Sequence, residues 1–389
     1  MDLTDILFGC ILGVVAGIIP GIHSNTFASI LLFSNYKNLW ILIISSAIAY
    51  TIADIIPTTI LGVPDEETAI GILPSHRMVL EGRGFEAIFI STLSSFLSLF
   101  ICIPLMFTVL VFKNVNKFTP LVLLAVSIFM ILSERGEDFE GSLSAWRKRL
   151  YAFLIFLSSG FLGFLALENS YLAEISFASS IFLPLLSGLF ASPVLLLSSE
   201  ASIPKQTKSV KLPDIKSVVI GSVAGFFVSV FPGISSGVAT TTATLGTKNS
   251  EEFICAMSSA NTANALLCFA SLIYLGKIRS GASDALNKIG HIPSIGQVVL
   301  ISIISGLIAL IATIAIAYLM LSKIHSIKPK ILSYSVFAFL TILVFHLTGF
   351  FGLAVFLSAI PIGLSCSLLG VRRVNCMGCL IIPIMFNYL

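Results

Sequence analysis

The chain has 389 residues, of which 57% are hydrophobic and only 11% are charged, and its formal net charge is +3. A soluble domain of average composition carries roughly 25% charged residues, so this composition excludes a water-soluble globular protein. The small positive charge is dispersed over short loops, which excludes a basic surface for nucleic acid. Apolar runs long enough to span a bilayer predict an all-α, multi-pass protein of the cell membrane with about ten to twelve membrane segments.

The first membrane segment follows Met1-Asp-Leu-Thr-Asp5, which is acidic rather than basic, so we expect this segment to be retained and not cleaved as a signal peptide. Pro20 and Gly21 lie inside the segment. Proline removes a backbone donor and glycine favours non-helical angles, so the helix is predicted to break there. The residues that follow the break are mostly polar: His23, Ser24, Asn25 and Thr26.

A second region follows the next long helix, where Asp54 lies inside an apolar stretch. An ionisable side chain at that depth is costly unless it functions or is paired, so either it binds a coupling ion or it is a carboxyl paired with a helix end or a basic neighbour. The predicted coupling-ion set is Asp54, Thr58 and Asp65, with Na⁺ or H⁺ as the ion and no other cofactor. Asp65 also fits the acidic first turn of a helix.

The first break has a counterpart at Pro232-Gly233, followed by Ser235 and Ser236. Placing Pro20 over Pro232, an offset of 212 residues, also superposes Gly9 on Gly221 and Gly13 on Gly225. The chain is therefore predicted to contain two repeats, residues 1–203 and 217–389, joined by a linker at residues 204–216. Loops at equivalent places carry opposite charge bias, which predicts that the repeats have inverted topology.

Broken backbone at membrane depth is tolerated only when it is buried in protein or lines a cavity. A half-helix that begins after each break would direct free N–H groups and a positive dipole end at that cavity, which suits an anion. Simple kinks in packed helices are the alternative explanation. The predicted substrate-binding set is Pro20, Gly21, His23, Ser24, Asn25, Thr26, Pro232, Gly233, Ser235, Ser236, Gly237, Asn261, Asn264 and Arg279.

Two members of this set have more than one explanation. Arg279 could supply a cation for an anionic substrate, or it could anchor a helix end at the membrane interface. His23 fits a hydrogen bond to the broken backbone as well as proton coupling or substrate contact.

Signatures of enzymes are weak in this sequence. Gly233-Ile-Ser-Ser-Gly237 matches the Gly-x-Ser-x-Gly pattern, but a membrane helix precedes it where a hydrolase requires a strand. The chain has no His-Glu-x-x-His motif and no Walker A loop, and Cys376-Met-Gly-Cys379 has no second pair to complete a zinc site. We therefore predict that the protein is not an enzyme and holds no structural metal.

Several longer motifs resemble the large membrane subunit of the tripartite tricarboxylate transporters, and the Pro-Gly-Ile-His variant is similar to the shorter archaeal branch of that family. The matching segments, in order, are Gly17–Ile22, Ile56–Pro64, Thr68–Pro74, Glu81–Ala87, Phe231–Ile234 and Gly370–Pro383. The resemblance implies ion-driven import of carboxylates together with a small membrane subunit and an extracytoplasmic binding protein. Lys277-Ile-Arg279 replaces a second Pro-Gly pair of the family, so citrate is not assured as the substrate.

The sequence thus predicts a secondary active transporter for an anionic substrate, with a carboxylate as the expected class, that works by ion-coupled alternating access. One alternative is a translocase of polyprenyl-phosphate lipid carriers, a family to which the paired Pro-Gly-x-Ser motifs are also similar. Its lipid phosphate would occupy the same helix N-termini. An alternative of another class is an intramembrane enzyme, which would need a general base near Ser235 or Ser236. The sequence leaves the direction of transport and the formation of a homo-oligomer open.

Overall fold

The computed structural model describes residues 2–19, 28, 31–32, 34, 36–62, 72–113, 118–134, 142–173, 181–197, 203–231, 235–244, 249–326 and 328–388. Every regular element in these ranges is helical. The first half contains α1 (Leu3–Ile18), α2 (Leu39–Ala53), α3 (Ile55–Leu61), α4 (Ile72–Leu80), α5 (Gly84–Thr108), α6 (Thr119–Leu132), α7 (Ser142–Glu168) and α8 (Phe182–Leu196). The second half contains α9 (Ile215–Val230), α10 (Ser236–Ala243), α11 (Ser250–Leu275), α12 (Gly281–Ile289), α13 (Ile295–Lys323), α14 (Pro329–Leu368) and α15 (Gly378–Tyr388).

Within the described ranges, six helical stretches are long and apolar enough to cross a membrane, namely α2 with α3, α5, α7, α11, α13 and α14. Five shorter apolar stretches of 10–17 residues accompany them. Large apolar side chains are exposed on the outer helices, for example Phe161 at 65% and Ile311 at 63%. Such surfaces are stable only against lipid, so the predicted all-α multi-pass membrane protein is confirmed.

Helix α14 is divided in the middle. A straight helix of its 40 residues would be about 60 Å long, roughly twice the hydrocarbon core of a bilayer. Gly349 interrupts it with φ 63° and ψ −156°, a conformation that only glycine adopts readily. The two parts of α14 therefore meet at Gly349 as separate helices.

In the first half, α1 and α2 pack closely and run parallel. A Cβ atom added to Gly13 would lie 2.9 Å from the Ala49 Cβ, and one added to Gly17 would lie 3.0 Å from the Ala53 Cβ. Small residues are what lets two helix backbones approach this closely in a membrane. The Asp5 carboxylate at the start of α1 accepts a hydrogen bond of 2.7 Å from the Asn38 amide just before α2. Both helices therefore begin at the same face of the molecule.

Helices α9 and α11 repeat this packing in the second half. A Cβ atom added to Gly225 would lie 2.7 Å from the Ala263 Cβ. This contact corresponds to the one between Gly13 and Ala49 in the first half. The backbone of Ala256 likewise lies directly against Gly221 near the start of both helices. Helix α10 lies between them in sequence and packs against both. Because α11 begins beside the start of α9, α10 carries the chain back toward the face from which α9 entered, which is the arrangement of a re-entrant helix.

The two pairs begin at opposite faces. The rings of Trp40 and His291 lie 5.0 Å apart, so α13 begins beside α2. Helix α13 ends beside the start of α5, where the Tyr318 and Phe85 rings are 6.1 Å apart. Arg83, at the start of α5, forms an ion pair with Glu251 at the start of α11. Thus α1 and α2 begin at one face and α9 and α11 at the other, while the inverted relation of the complete repeats stays a prediction.

The helices form two bundles, each with its own apolar core. The first bundle combines α1, α2, α5, α9, α11, α12 and α13. The second bundle combines α6, α7, α8, α14 and α15 with the short turn Arg373–Met377. Each bundle therefore takes helices from both halves of the chain. Helix α10 adjoins both bundles, because it packs against α9 and α11 while its Val238 belongs to the core of the second bundle.

Candidate functional site

Asp54 lies at the junction of α2 and α3, and it is 3% exposed. Pro57 has no N–H to donate to the Ala53 carbonyl, so the helix is interrupted at Asp54. The Thr58 hydroxyl donates a 2.9 Å hydrogen bond to the Asp54 carbonyl beside this interruption. The predicted coupling residues Asp54 and Thr58 are therefore adjacent at a break in the backbone, whereas Asp65 lies outside the described residues.

Asp54 also contacts the second half of the chain. The Asn261 amide donates a 2.8 Å hydrogen bond to the Asp54 carboxylate. The Thr51 and Thr262 hydroxyls are 3.2 Å apart beside it. All four side chains are buried where α2 and α11 meet. We call Thr51, Asp54, Asn261 and Thr262 the crossing cluster.

The end of α1 leads directly to this cluster. A Cβ atom added to Gly17 would lie 3.2 Å from the Asp54 backbone nitrogen. The first Pro-Gly motif follows α1 within a few residues of Gly17. The predicted site residues that lie outside the described residues are Pro20, Gly21, His23, Ser24, Asn25, Thr26, Pro232 and Gly233.

In the second half the structure agrees with the predicted break. Helix α9 ends at Val230, and α10 begins at Ser236. The Ser235 hydroxyl caps α10 by accepting a hydrogen bond of 3.3 Å from the Val238 N–H. Ser235, Ser236 and Gly237 are all buried, so the N-terminus of α10 lies inside the protein.

Thr240 lies one turn beyond Ser236 on the same face of α10, and it is fully buried. Its hydroxyl forms no hydrogen bond within the described part of the chain. The neighbouring Thr241 hydroxyl, by contrast, donates 2.8 Å to the Gly237 carbonyl. A buried hydroxyl without a partner costs roughly 1–3 kcal/mol, so Thr240 is a candidate donor to a ligand. The predicted substrate-binding set omitted Thr240, although the run Thr240-Thr-Thr242 after the break marked it.

The N-terminus of α10 also contacts the second bundle. The Ser235 hydroxyl lies 4.0 Å from the Met377 sulfur. Met377 ends the turn Arg373–Met377, which is held by Glu134, whose carboxylate accepts 3.0 Å from the Arg372 side chain and 2.7 Å from the Asn375 amide. Met377 belongs to the motif Gly370–Pro383, but nothing in the sequence connected that motif with Ser235.

The structure separates two predicted residues that the sequence grouped. Asn264 is buried in α11, where its side-chain oxygen accepts a hydrogen bond from Cys268 at 3.4 Å. Arg279 lies beyond the end of α11, and its backbone N–H bonds to the Ser283 hydroxyl at 3.1 Å. Asn264 and Leu275 alone are about 16 Å apart along the helix. Arg279 therefore lies beyond the C-terminal end of α11, away from Asn264, and its contact with substrate stays a prediction.

A charged network joins the two halves at one face. Arg83 forms ion pairs with Glu86, at 2.6 Å, and with Glu251, while Glu251 also pairs with Lys211 of the linker. The hydrogen bonds that Arg83 donates to Glu86 and Glu251 raise its pKa. The hydrogen bond that Lys211 donates to Glu251 raises the pKa of Lys211. Both cations stay charged at neutral pH and attach the linker to the starts of α5 and α11.

The linker is also attached through its backbone. The Thr207 N–H donates 2.8 Å to the Gly82 carbonyl, and the Gly84 N–H donates 2.8 Å to the Gln206 side chain. Gly82 has φ 80°, which favours glycine at this turn. The segment between the two halves is therefore an ordered part of the molecule.

Comparisons with known proteins agree with this architecture. Residues 3–378 match the model of the Tripartite tricarboxylate transporter TctA family. An uncharacterized protein of Methanocaldococcus jannaschii is 28% identical over 413 aligned residues, which cover 100% of this chain and 99% of that protein. No solved structure matches the chain.

The family consists of transporters and not enzymes, and its members function in a tripartite system with other subunits. This confirms the predicted transporter class, the multi-pass membrane location and the absence of enzymatic function. The chain therefore belongs to the TctA family and is a tricarboxylate-type membrane transporter.

Proposed function

We propose that the protein is an ion-coupled secondary transporter that binds a carboxylate between the crossing cluster and the N-terminus of α10. The observation that carries this proposal is the buried hydrogen bond between Asp54 and Asn261, which joins the two halves 207 residues apart. Helix α11 provides Asn261 and packs against α10, so it connects the two groups of polar side chains.

Helix α10 supplies the groups that would bind the carboxylate. Its N-terminal N–H groups and its positive dipole end suit an anion. The buried Ser236 and Thr240 side chains lie on one face of this helix. The Thr240 hydroxyl gains a partner when the anion binds, which offsets part of the cost of removing the carboxylate from water.

Asp54 is the proposed site of the coupling ion. A charged carboxylate inside a membrane protein is costly, and Asp54 is buried where its carboxylate accepts a hydrogen bond from Asn261. A proton or Na⁺ bound at Asp54 would remove this cost. Ion binding at Asp54 would thereby favour the conformation in which the nearby anion site is loaded.

The two bundles are the rigid bodies that would move against each other in alternating access. Each has its own core, and α10 contacts both of them. A shift of one bundle against the other would expose the anion site first to one side of the membrane and then to the other. Inverted repeats produce two such states because the same contacts form in each half in turn.

The test is uptake of labelled citrate and smaller dicarboxylates into proteoliposomes under an imposed Na⁺ or pH gradient. We expect gradient-dependent accumulation by the wild type and none by Asp54→Asn. Asp284→Asn is the matched control, because Asp284 lies near the surface in α12 and pairs with Lys288 at 2.6 Å. The proposal would be contradicted if wild-type uptake did not depend on either gradient. It would also be contradicted if uptake by Asp54→Asn still depended on a gradient.

A small membrane subunit and a binding protein are the proposed partners, since members of the family work with other subunits. Uptake by the reconstituted protein is therefore compared with uptake by cells that express the full set of subunits. The Asp54→Asn variant should fail in both settings, because the coupling ion binds to this chain.

A further inference from the structure

A cavity of about 590 Å³ lies between α6, α9 and α10, outside the polar site. Every described side chain that lines it is apolar, including Val122 and Val126 of α6, Val223 of α9, and Val238 and Ala239 of α10. Helix α9 belongs to the first bundle and α6 to the second, so the cavity lies at the seam between the two bundles.

The cavity is continuous with the lipid-facing surface. Val219 and Phe227 line it, yet they are 41% and 43% exposed on α9. In a multi-pass membrane protein such exposed apolar side chains face the hydrocarbon of the bilayer. The neighbour that reaches the opening of the cavity is therefore a lipid molecule.

The size and the apolar lining of the cavity determine whether water, a partner helix or a hydrocarbon chain fits it best. Water is disfavoured, because it requires polar partners that this lining does not supply. A partner helix is 10–12 Å across, so a volume of this size holds only about one helical turn. A hydrocarbon chain is narrower and flexible, and it would restore the dispersion contacts that an empty apolar cavity lacks.

We infer that this cavity binds one hydrocarbon chain of a bilayer phospholipid. The chain would pack on α10 through Val238 and Ala239, beside the helix face that carries Ser236 and Thr240. The lipid would thus support the re-entrant helix from its apolar side and occupy the seam along which the two bundles move. This site is independent of the substrate and of the coupling ion.

The test uses the purified protein in lipid nanodiscs that contain phosphatidylcholine with a photoactivatable diazirine in one acyl chain. After irradiation, mass spectrometry locates the labelled peptides. We expect labelling of α6, α9 and α10 to exceed labelling of the lipid-facing surface of α13 several-fold. Labelling in proportion to exposed apolar area on all helices would overturn the inference.

Variants that fill the cavity with a larger side chain provide the second part of the labelling experiment. Ala243 lines the cavity, and Ala243→Phe should reduce labelling of α10 several-fold, as should Val223→Trp on α9 if the first variant does not fold. Ala315→Phe is the matched control, since Ala315 is an exposed helical alanine on α13 away from the cavity. Unchanged labelling in a folded Ala243→Phe or Val223→Trp protein would also overturn the inference.

Discussion

Helices α2 and α11 pack in the same way on their partner helices, but they carry different buried polar residues. Helices α2 and α11 each pack in parallel on a glycine-bearing partner, and their continuations end at Gly62 and Gly276 with φ of 65° and 64°. The first is interrupted at Asp54, whereas α11 continues unbroken from Ser250 to Leu275. The repeat thus provides the same scaffold twice, while the buried acid is present in one copy and its amide partner in the other.

This difference teaches that symmetry of packing does not require symmetry of function. Glycine contacts depend on backbone distance, so both halves preserve them. The proposed ion site needs one buried carboxylate, since a second carboxylate beside Asp54 would repel the first. The following predictions separate the shared scaffold from the unshared chemistry.

The largest effect is expected for the shared glycine contacts. Gly13→Ile and Gly225→Ile should each lower the free energy of unfolding by about 3 kcal/mol, because a branched side chain would overlap the partner helix. Thermal unfolding in detergent measures the loss. Gly296→Ile is the control, since a Cβ there meets nothing within 4 Å. Equal stability of Gly225→Ile and Gly296→Ile would contradict the close packing of α9 and α11.

The next largest effect is expected for the hydrogen bond between Asp54 and Asn261, in which one half provides the acid and the other half the amide. Asn261→Leu removes the donor to the Asp54 carboxylate, and losing a hydrogen bond to a buried charge costs about 2 kcal/mol. We expect the ion concentration for half-maximal uptake to shift roughly thirtyfold, the equivalent of that free energy. Asn287→Leu, an exposed asparagine of α12, should leave it unchanged. An unshifted ion dependence in Asn261→Leu would show that this pair is structural.

A smaller effect is expected for Thr240→Val, which preserves shape but removes the unpaired hydroxyl. The KM for the carboxylate should rise about tenfold, the value of one hydrogen bond to a charged group. The folded protein should be as stable as the wild type or more so, because no existing bond is lost. Thr241→Val is the control, since that hydroxyl already bonds to Gly237. An equal rise in KM in both variants would show that the Thr240 hydroxyl does not contact the substrate.

The smallest effect concerns the charged network at the linker. The pKa of Lys211 is raised by Glu251, so the ion pair is fully present below the ordinary lysine value and is lost only as the pH rises through the raised value. Stability of the wild type should therefore decline slightly more in strongly alkaline solution than stability of Lys211→Met. Because Lys211 is largely exposed, salt should weaken this difference. Identical alkaline profiles would show that the linker is held by its backbone bonds alone.

Much of the fold could be predicted from the sequence because its signals are local. Apolar runs predicted the membrane helices, and Pro232-Gly233 predicted the end of α9 before Ser235. The superposition of Gly13 on Gly225 predicted a repeated unit, and the structure shows that each of these glycines lies against a neighbouring helix. The paired motifs also allowed the family to be identified, which the match over residues 3–378 confirms.

The site could be predicted only in part. Asp54 and Thr58 were identified because an acid inside an apolar stretch is unusual, and the structure brings Asp54 to Asn261. Arg279 was predicted as a substrate-binding residue, and that role stays a prediction because it lies beyond the end of α11. The predicted set omitted Thr240, although it lies in the threonine run after Pro232-Gly233, because the burial of its side chain cannot be read from the sequence. The contact between Met377 and Ser235 spans 142 residues of chain and leaves no local pattern.

The sequence by itself determined that this protein is a helical membrane transporter and that α9 ends before Pro232-Gly233, because hydrophobicity, proline and glycine act on the backbone where they occur. Only the tertiary structure decided which polar groups meet. It paired Asp54 with Asn261, left the Thr240 hydroxyl without a partner in the described chain, and divided both halves between two bundles with an apolar cavity at their seam. Those outcomes depend on how helices distant in the chain pack, and no local pattern specifies that packing.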